Sequence, residues 1–286
     1  MPDATHHQVD SYCDMFILWL KSKRYSSNTI QTYSGALRVF LQYVGERSPA
    51  TITSDDIIGF NHDVILKRGL SVSYQNQVVN ALKLFFSNLA PSSELSIYHI
   101  HRPRKVHHLP NVLSKDEVKR ILDVQTNVKH RVMLSLTYSC GLRRSELLNL
   151  KPQHIDSRRG VVIIKQSKGN KDRIVPLSHR ILTMLREYYK AYKPTIWLFE
   201  GQQPGTKYSD RSLHNVLKQA VAKAGITKPV SLHWLRHSYA THLLESGTDI
   251  RYIQELLGHK SCRTTEIYTH VSTKSIQNIK SPFDEL

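Results

Sequence analysis

Long apolar stretches are missing from this chain of 286 residues: no run of about eighteen apolar residues occurs, and the opening MPDATHHQVD is polar. Neither a membrane span nor a secretory signal is expected, so the chain reads as soluble and intracellular. Cysteine is scarce as well. Cys13, Cys140 and Cys262 are odd in number and far apart, which excludes a disulfide framework and a CxxC metal or redox site and leaves all three as packing residues. The basic half of the chain holds no cluster of carboxylates of the kind two-metal nucleases need, and there is no GxxxxGK[ST] loop or GxSxG elbow. Two-metal nuclease, P-loop and α/β-hydrolase chemistry are thereby set aside.

Positive charge, by contrast, is abundant. With 40 Lys and Arg against 23 Asp and Glu the net charge is +17, a balance that predicts a polyanionic partner, most simply nucleic acid. The excess is unevenly spread. Residues 1–100 carry 8 basic and 8 acidic side chains, so the 32 and 15 that follow residue 100 account for all of it. A basic face can still exist on the first part, where Lys21, Lys23 and Arg24 cluster.

The length fits one large domain or two modest ones, and two are expected. In the first hundred residues Phe16, Leu20, Ile30, Tyr33, Leu37, Phe40, Leu41 and Val44 recur at helical spacing, with Ser27/Asn28 as a cap before the second run. Thr53/Ser54, followed by Asp55 and Asp56, opens a third helix, and Ser73 to Leu89 reads as a fourth, stopped by Pro91. HRPRKVHHLPNVL, residues 101–113, has no period and reads as an extended linker. Ser114 and Glu117 then fit a capping box. In VVIIKQSKGNKDRIVPL, residues 161–177, two β-branched runs around Gly169-Asn170 signal a hairpin, with a further strand beside it. Residues 178–192, 209–224, 233–247 and 249–257 read as helices, with Gly247 and Gly258 as C-terminal stops.

SLHWLRHSYATHLLESG, residues 231–247, places His233, Arg236, His237 and His242 within about three helical turns. The His233/His237 spacing is that of a zincin helix, but Arg236 stands near where a general-base glutamate is wanted and its fixed positive charge opposes a cation. A phosphate suits the stretch better. His233 and Arg236, at i and i+3, share one face and can meet a single phosphodiester. A metal-free enzyme must neutralise a pentacoordinate phosphorane with fixed cations, and one arginine is too few. Arg143 in CGLRRSEL and Lys168 in SKGNK are the further candidates.

Taken in order, TYSCGLRRSELLNL, SKGNKDRIVPL, LHWLRHSYATHLL, LLGHKS and TTEIYTHV resemble, in sequence and spacing, the catalytic domain of the tyrosine recombinases, the family of Xer recombinases and of phage, transposon and integron integrases. SSNTIQTYSGALRVFLQYV is similar to that family's N-terminal core-binding domain, and LPNVLSKDEV to the usual start of its catalytic domain. The resemblance implies a mainly α chain. A helical, SAM-like core-binding bundle occupies residues 1–100 and a linker 101–113; a mixed α/β catalytic domain with a small antiparallel sheet fills 114–286 and ends in a tail, 272–286. By motif, Arg143 matches the first arginine, His233 and Arg236 the HxxR pair, Lys168 the hairpin lysine in preference to Lys171, His259 the second histidine and Tyr268 the nucleophile. Glu146 is read as a structural partner of Arg143, and His237 and His242 match positions that pack or brace the site. Cys140 stands where threonine is common and Leu232 where proline is common; neither departure removes a reacting group.

These residue types suit the reaction. A phenol with a pKa of about 10 is hardly ionised at neutral pH and must be activated. Arg143 and Arg236 would bind the non-bridging oxygens, gaining strength as charge grows in the transition state. His233 is expected to accept the phenolic proton, His259 to donate to a phosphate oxygen and Lys168 to protonate the departing 5′-oxygen. The resemblance implies a 3′-phosphotyrosyl intermediate that conserves the bond energy, with no cofactor and no metal, and strand exchange through a Holliday junction. It further implies double-stranded DNA with paired inverted half-sites as substrate, a homotetramer on DNA whose tail docks on the neighbouring protomer, room for a partner recombinase, and a place in the bacterial cytoplasm on the nucleoid. No extra arm-binding domain of the phage type is expected, which favours a short target. The alternatives are a type IB topoisomerase, from which the stretch after Tyr268 discriminates, and a non-catalytic DNA-binding regulator, which would not need all six reacting positions filled.

Overall fold

The computed structural model describes residues 3–90, 102–103, 109–165, 172–259, 261–269 and 283, with side chains from residue 8 onward. It is mainly helical and forms two compact units that divide between residues 107 and 108, inside the stretch read as a linker.

The first unit is a helical bundle of α1 (Asp3–Ser22), α2 (Ser27–Val44), α3 (Ser54–Phe60) and α4 (Val72–Asn88). The cap of α2 is Ser26 rather than Ser27 or Asn28: its hydroxyl accepts from the Thr29 N–H while its own backbone is extended. Thr53 and Asp56 close a capping box at the start of α3, which runs on into one π-helical turn, Asn61–Leu66. Ser71 caps α4 and so starts it one residue before the predicted Ser73. Val9, Cys13, Phe16 and Leu20 come inward from α1 at spacings of four, three and four, and meet Leu37 and Phe40 of α2 and Leu82, Phe85 and Phe86 of α4 in a single core. Edge-on ring pairs, Phe16 with Phe85 at 5.8 Å and Phe40 with Phe60 at 5.3 Å, fill its centre.

In the second unit the Ser114–Glu117 capping box opens α5 (Lys115–Asp123), followed by α6 (Val128–Ser139) and the short α7 (Arg144–Leu148). A three-stranded antiparallel sheet comes next, with β1 (Ile155–Asp156), β2 (Val161–Ile164) and β3 (Arg173–Pro176) in that spatial order. The two long strands are those of the predicted hairpin; its Gly169-Asn170 turn lies outside the described residues. Ile163 faces Ile174 and Ile164 faces Arg173. Period-2 alternation therefore sends Val162, Ile164, Arg173 and Val175 to the buried side while Ile174 stays exposed. Then come α8 (His179–Tyr192), α9 (Asp210–Lys223), α10 (Leu232–Glu245), α11 (Ile250–Leu257) and α12 (Arg263–Glu266). Gly258 ends α11 in the left-handed conformation, at φ +61°.

Cys13 and Cys140 are buried packing residues, as expected. Cys262 is not: it is exposed on the turn before α12, where its Sγ donates to Gln254 Oε1 at 2.9 Å. Among the described residues no helix is long and apolar enough to cross a membrane.

The helix on which the unit turns is α10, packed against α6 and α11 and buried almost all round, from Leu235 to His242. Its Ser238 hydroxyl accepts from the buried Leu113 N–H at 2.8 Å and donates to Trp234 O at 2.8 Å, so the segment leading into α5 is stitched to the middle of α10. Ser238→Ala leaves that N–H buried without an acceptor and is expected to cost about 1–3 kcal/mol, read as a lower urea midpoint at unchanged helical content.

Candidate active site

Arg236 lies in α10 between Leu235 and the apolar Tyr239 and Ala240, and its side chain is fully buried. A guanidinium can be buried only if acceptors are supplied, and the carboxyl ends of two helices, α6 and α11, supply them. Its Nη1 donates to Gly141 O and its Nη2 to Leu257 O, each at 2.6 Å. Leu257 is the last residue of α11, whose terminal carbonyls have no partner within the helix and carry its partial negative charge. Gly141, at φ +56°, must be glycine: a Cβ there would stand 2.5 Å from the Tyr239 ring. Arg236 Nε is buried and makes no hydrogen bond among the described residues. Burial first, and then the like charge of Arg143, push Arg236 down to about 9, which still leaves it protonated at neutral pH.

Arg143 caps α7. Its backbone N–H donates to Glu146 Oε2 and its Nη1 to Glu146 Oε1, both at 2.7 Å, and its Nη2 reaches Gly258 O at 3.4 Å. Glu146 also takes a fork from Arg173, Nη1 to Oε1 and Nη2 to Oε2 at 2.7 Å each, while Arg173 Nε donates to Leu256 O at 2.7 Å. Arg236 Nη1 lies 3.8 Å from the same carboxylate. Three arginines thus gather around one buried glutamate and the carboxyl end of α11. Arg173 was not among the residues singled out in the sequence. Its signal was the alternation Arg173, Val175, Leu177, which puts an arginine on the core face of a strand, where it needs a carboxylate.

Tyr268 follows α12 and is 1% exposed, packed among Tyr239, Ala240, Ile253 and Leu257. Burial raises its pKa above the ordinary phenol range, against the opposing pull of Arg236 and Arg143. The imidazole at its hydroxyl is that of His237, whose Nδ1 is 3.0 Å away, and not that of His233 as expected. His233 and Arg236 share α10, but Arg236 turns inward while His233 is exposed at a shallow cleft beside His214, its ring 4.3 Å from that of His237. His259 is held by Arg236 Nη2, 3.2 Å from Nε2, and by Thr265 Oγ1, 2.9 Å from Nδ1. A guanidinium only donates, so Nε2 accepts and Nδ1 carries the proton to Thr265. Burial, then the charges of Arg236 and Arg143, push His259 down to about 3. It is neutral and faces the arginines as an acceptor; donation to a phosphate oxygen requires the other tautomer, with the Thr265 hydroxyl reversed. His242 bonds Tyr138 at 2.9 Å, away from this cluster. The structure therefore brings Arg143, Arg236, His259 and Tyr268 together and sets His233 beside them across His237. Lys168 and Lys171 lie outside the described residues.

Comparison with known proteins gives the family. The Phage integrase family profile matches residues 111–275, and the profile of the phage integrase N-terminal SAM-like domain matches residues 13–93. The chain belongs to the phage integrase family of tyrosine recombinases. It is 36% identical over 265 residues to the tyrosine recombinase XerA of Pyrococcus horikoshii, covering 92% of this chain and 90% of that one. With the tyrosine recombinase XerD of Listeria monocytogenes it shares 33% identity over 278 residues, 90% of this chain and 93% of the other. Its fold is also that of the XerH site-specific recombinase in a post-cleavage complex with palindromic difH, at a TM-score of 0.76 and 23% identity over 97% of this chain and 84% of that one. This recombinase is thus a site-specific enzyme that cleaves and rejoins DNA through a tyrosine intermediate.

Glu146→Gln keeps the size of the side chain but deletes the charge that the arginines share. The recombinase is expected to lose about 3–5 kcal/mol of stability, the usual result of breaking one side of a buried ion pair, measured by urea unfolding.

Proposed function

We propose that Tyr268 is the nucleophile of this recombinase, that Arg143 and Arg236 hold the scissile phosphate, and that His233, His259 and Lys168 complete the site. The observation that carries this reading is Arg236. It is a buried cation with a donor left over, in a cluster where three arginines face one glutamate. An orphaned buried donor costs about 1–3 kcal/mol, a cost offset when a ligand brings an acceptor. The excess positive charge fits an anion whose charge grows during reaction.

As the Tyr268 Oη–phosphorus bond forms, the phenolic O–H bond breaks and its proton passes to the neighbouring imidazoles, while the bond from phosphorus to the 5′-oxygen breaks. The 5′-oxygen takes a proton from Lys168, and the 3′-phosphate stays on the tyrosine. His259 contributes a hydrogen bond to a phosphate oxygen once its tautomer has switched. The phosphotyrosyl diester keeps the energy of the original bond, so a partner strand's 5′-hydroxyl reverses the step without ATP, and two rounds pass through a Holliday junction. Residues 1–100 act as the core-binding domain, 101–113 as the linker and 114–286 as the catalytic domain. The substrate is duplex DNA made of paired inverted half-sites, a reading supported by the charge of the second half and by the palindromic substrate of XerH. Four copies assemble two such sites, alone or with a partner recombinase, in the bacterial cytoplasm on the nucleoid.

Tyr268→Phe deletes one oxygen and no charge, so covalent adduct on a nicked suicide substrate is expected to vanish while DNA affinity changes less than about threefold. Adduct from the Phe variant would exclude Tyr268 as nucleophile.

The tail STKSIQNIKSPFDEL carries Ile276 and Ile279 at helical spacing, with Phe283 and Leu286 beyond Pro282. Fifteen residues cannot bury such a surface alone. In this reading the tail docks on the neighbouring protomer, and because it follows Tyr268 closely it couples the nucleophile to assembly. Deleting residues 273–286 is expected to leave single-site binding within a few fold and to abolish synapsis and recombination in gel shifts with one-site and two-site DNA. Normal synaptic complexes from the truncated protein would mean that the tail serves no neighbour.

A further inference from the structure

The Tyr268 hydroxyl meets an imidazole that stands outside the six matched positions. His237 Nδ1 is 3.0 Å from it, with ring centroids 5.6 Å apart. On its other side the His237 ring lies edge-on to His233, at 4.3 Å and 75°. A phenol is the stronger hydrogen-bond donor of the two, so its O–H donates, Nδ1 accepts, and Nε2 carries the ring proton. Phenol, half-buried imidazole and exposed imidazole thus run in sequence from the nucleophile to the surface. Helical geometry makes the series: His233 and His237 are at i and i+4 on α10, and the turn after α12 delivers Tyr268 against the second of them.

We propose that His237 is a further catalytic residue of this recombinase, the group that holds the Tyr268 hydroxyl and takes its proton as the nucleophile attacks. The step balances. While Tyr268 Oη bonds to phosphorus, its O–H bond breaks and the proton moves to His237 Nδ1; the bond to the 5′-oxygen breaks and that oxygen takes its proton from Lys168. The imidazolium then sheds its Nε2 proton through His233 to water. This inference rests on Tyr268 being the nucleophile.

The surroundings make the transfer conditional. Arg236, His233 and His259 all lie close to the His237–Tyr268 pair. Burial first, and then His233 and Arg236, push His237 down to about 4, so at neutral pH it is uncharged and its lone pair is available. Burial raises Tyr268 as well. Proton transfer between two groups shifted apart in this way is steeply uphill until a negative charge arrives to favour the imidazolium. A bound phosphodiester, gaining charge on the way to the phosphorane, supplies it, so the nucleophile is armed by its own substrate.

His237→Asn keeps an acceptor where Nδ1 sits but takes up no proton. Single-turnover adduct formation on a nicked suicide duplex at saturating DNA is expected to fall about a hundredfold or more, with affinity within about threefold. The defect is expected to persist on a substrate whose 5′ leaving atom is sulfur, because a thiolate departs without a proton and relieves only the loss of a general acid. Adduct formation within about threefold of the parent enzyme would overturn the proposal, and so would a defect that disappears on the sulfur substrate. His237→Ala is the second variant if the Asn protein melts below the assay temperature. Tyr268→Phe run alongside separates the two readings: adduct from the Phe variant sinks the choice of nucleophile, whereas a dead Phe variant beside a fully active Asn variant sinks only the role of His237.

Discussion

Glu146 accepts from Arg143 and Arg173 at 2.7 Å and lies 3.8 Å from Arg236, so three guanidinium groups converge on one negative charge that is itself 5% exposed. Arg143 comes from the start of α7, Arg173 from β3 and Arg236 from α10, and the carbonyls of Leu256, Leu257 and Gly258 at the end of α11 each accept from one of them. One glutamate and one helix end together offset the desolvation of three cations, each of which alone would be too costly to bury.

The cluster also bears on the ionisable groups beside it. Burial in the apolar packing around α10 and α11, and after it the neighbouring imidazole and arginine charges, act in one direction on the imidazoles, holding His237 and His259 well below the ordinary histidine range. On Tyr268 they act in opposite directions, and burial wins. The result is a set of neutral groups around a strongly cationic centre, a state in which the phenol stays protonated. A negative charge arriving beside these groups would weaken the local positive field and make imidazolium less costly.

Much of the architecture was legible because local chemistry and tertiary structure agree. Thr53 and Ser114 sit in their capping boxes, Gly258 takes the left-handed stop, and the β-branched runs on either side of Gly169-Asn170 pair as β2 and β3. Misses of one residue, as at Ser26 and Ser71, arose where adjacent serines offered equivalent caps and the packing of the following helix chose between them. Cys262 was misread for a different reason. Small and apolar by type, it falls on a surface turn whose position is set by Gln254 and α12, a long-range fact.

By itself the sequence determined the helical and strand periods, the neutral first half and basic second half, and the types of residue brought to a phosphate: arginines, histidines, a tyrosine. Those follow from spacing and charge, which are properties of the chain. Tertiary structure decided which of these groups touch. Arg173 joined the site because the register of β2 and β3 turns it toward the core, opposite Ile164, where Glu146 and the end of α11 accept from it. His237 rather than His233 met the tyrosine because Tyr268 arrives from a separate turn, and no spacing along α10 records from which side it comes. Contact between residues 31 positions apart, as here, is set by how helices pack, and packing minimises the free energy of the whole core rather than of any one motif.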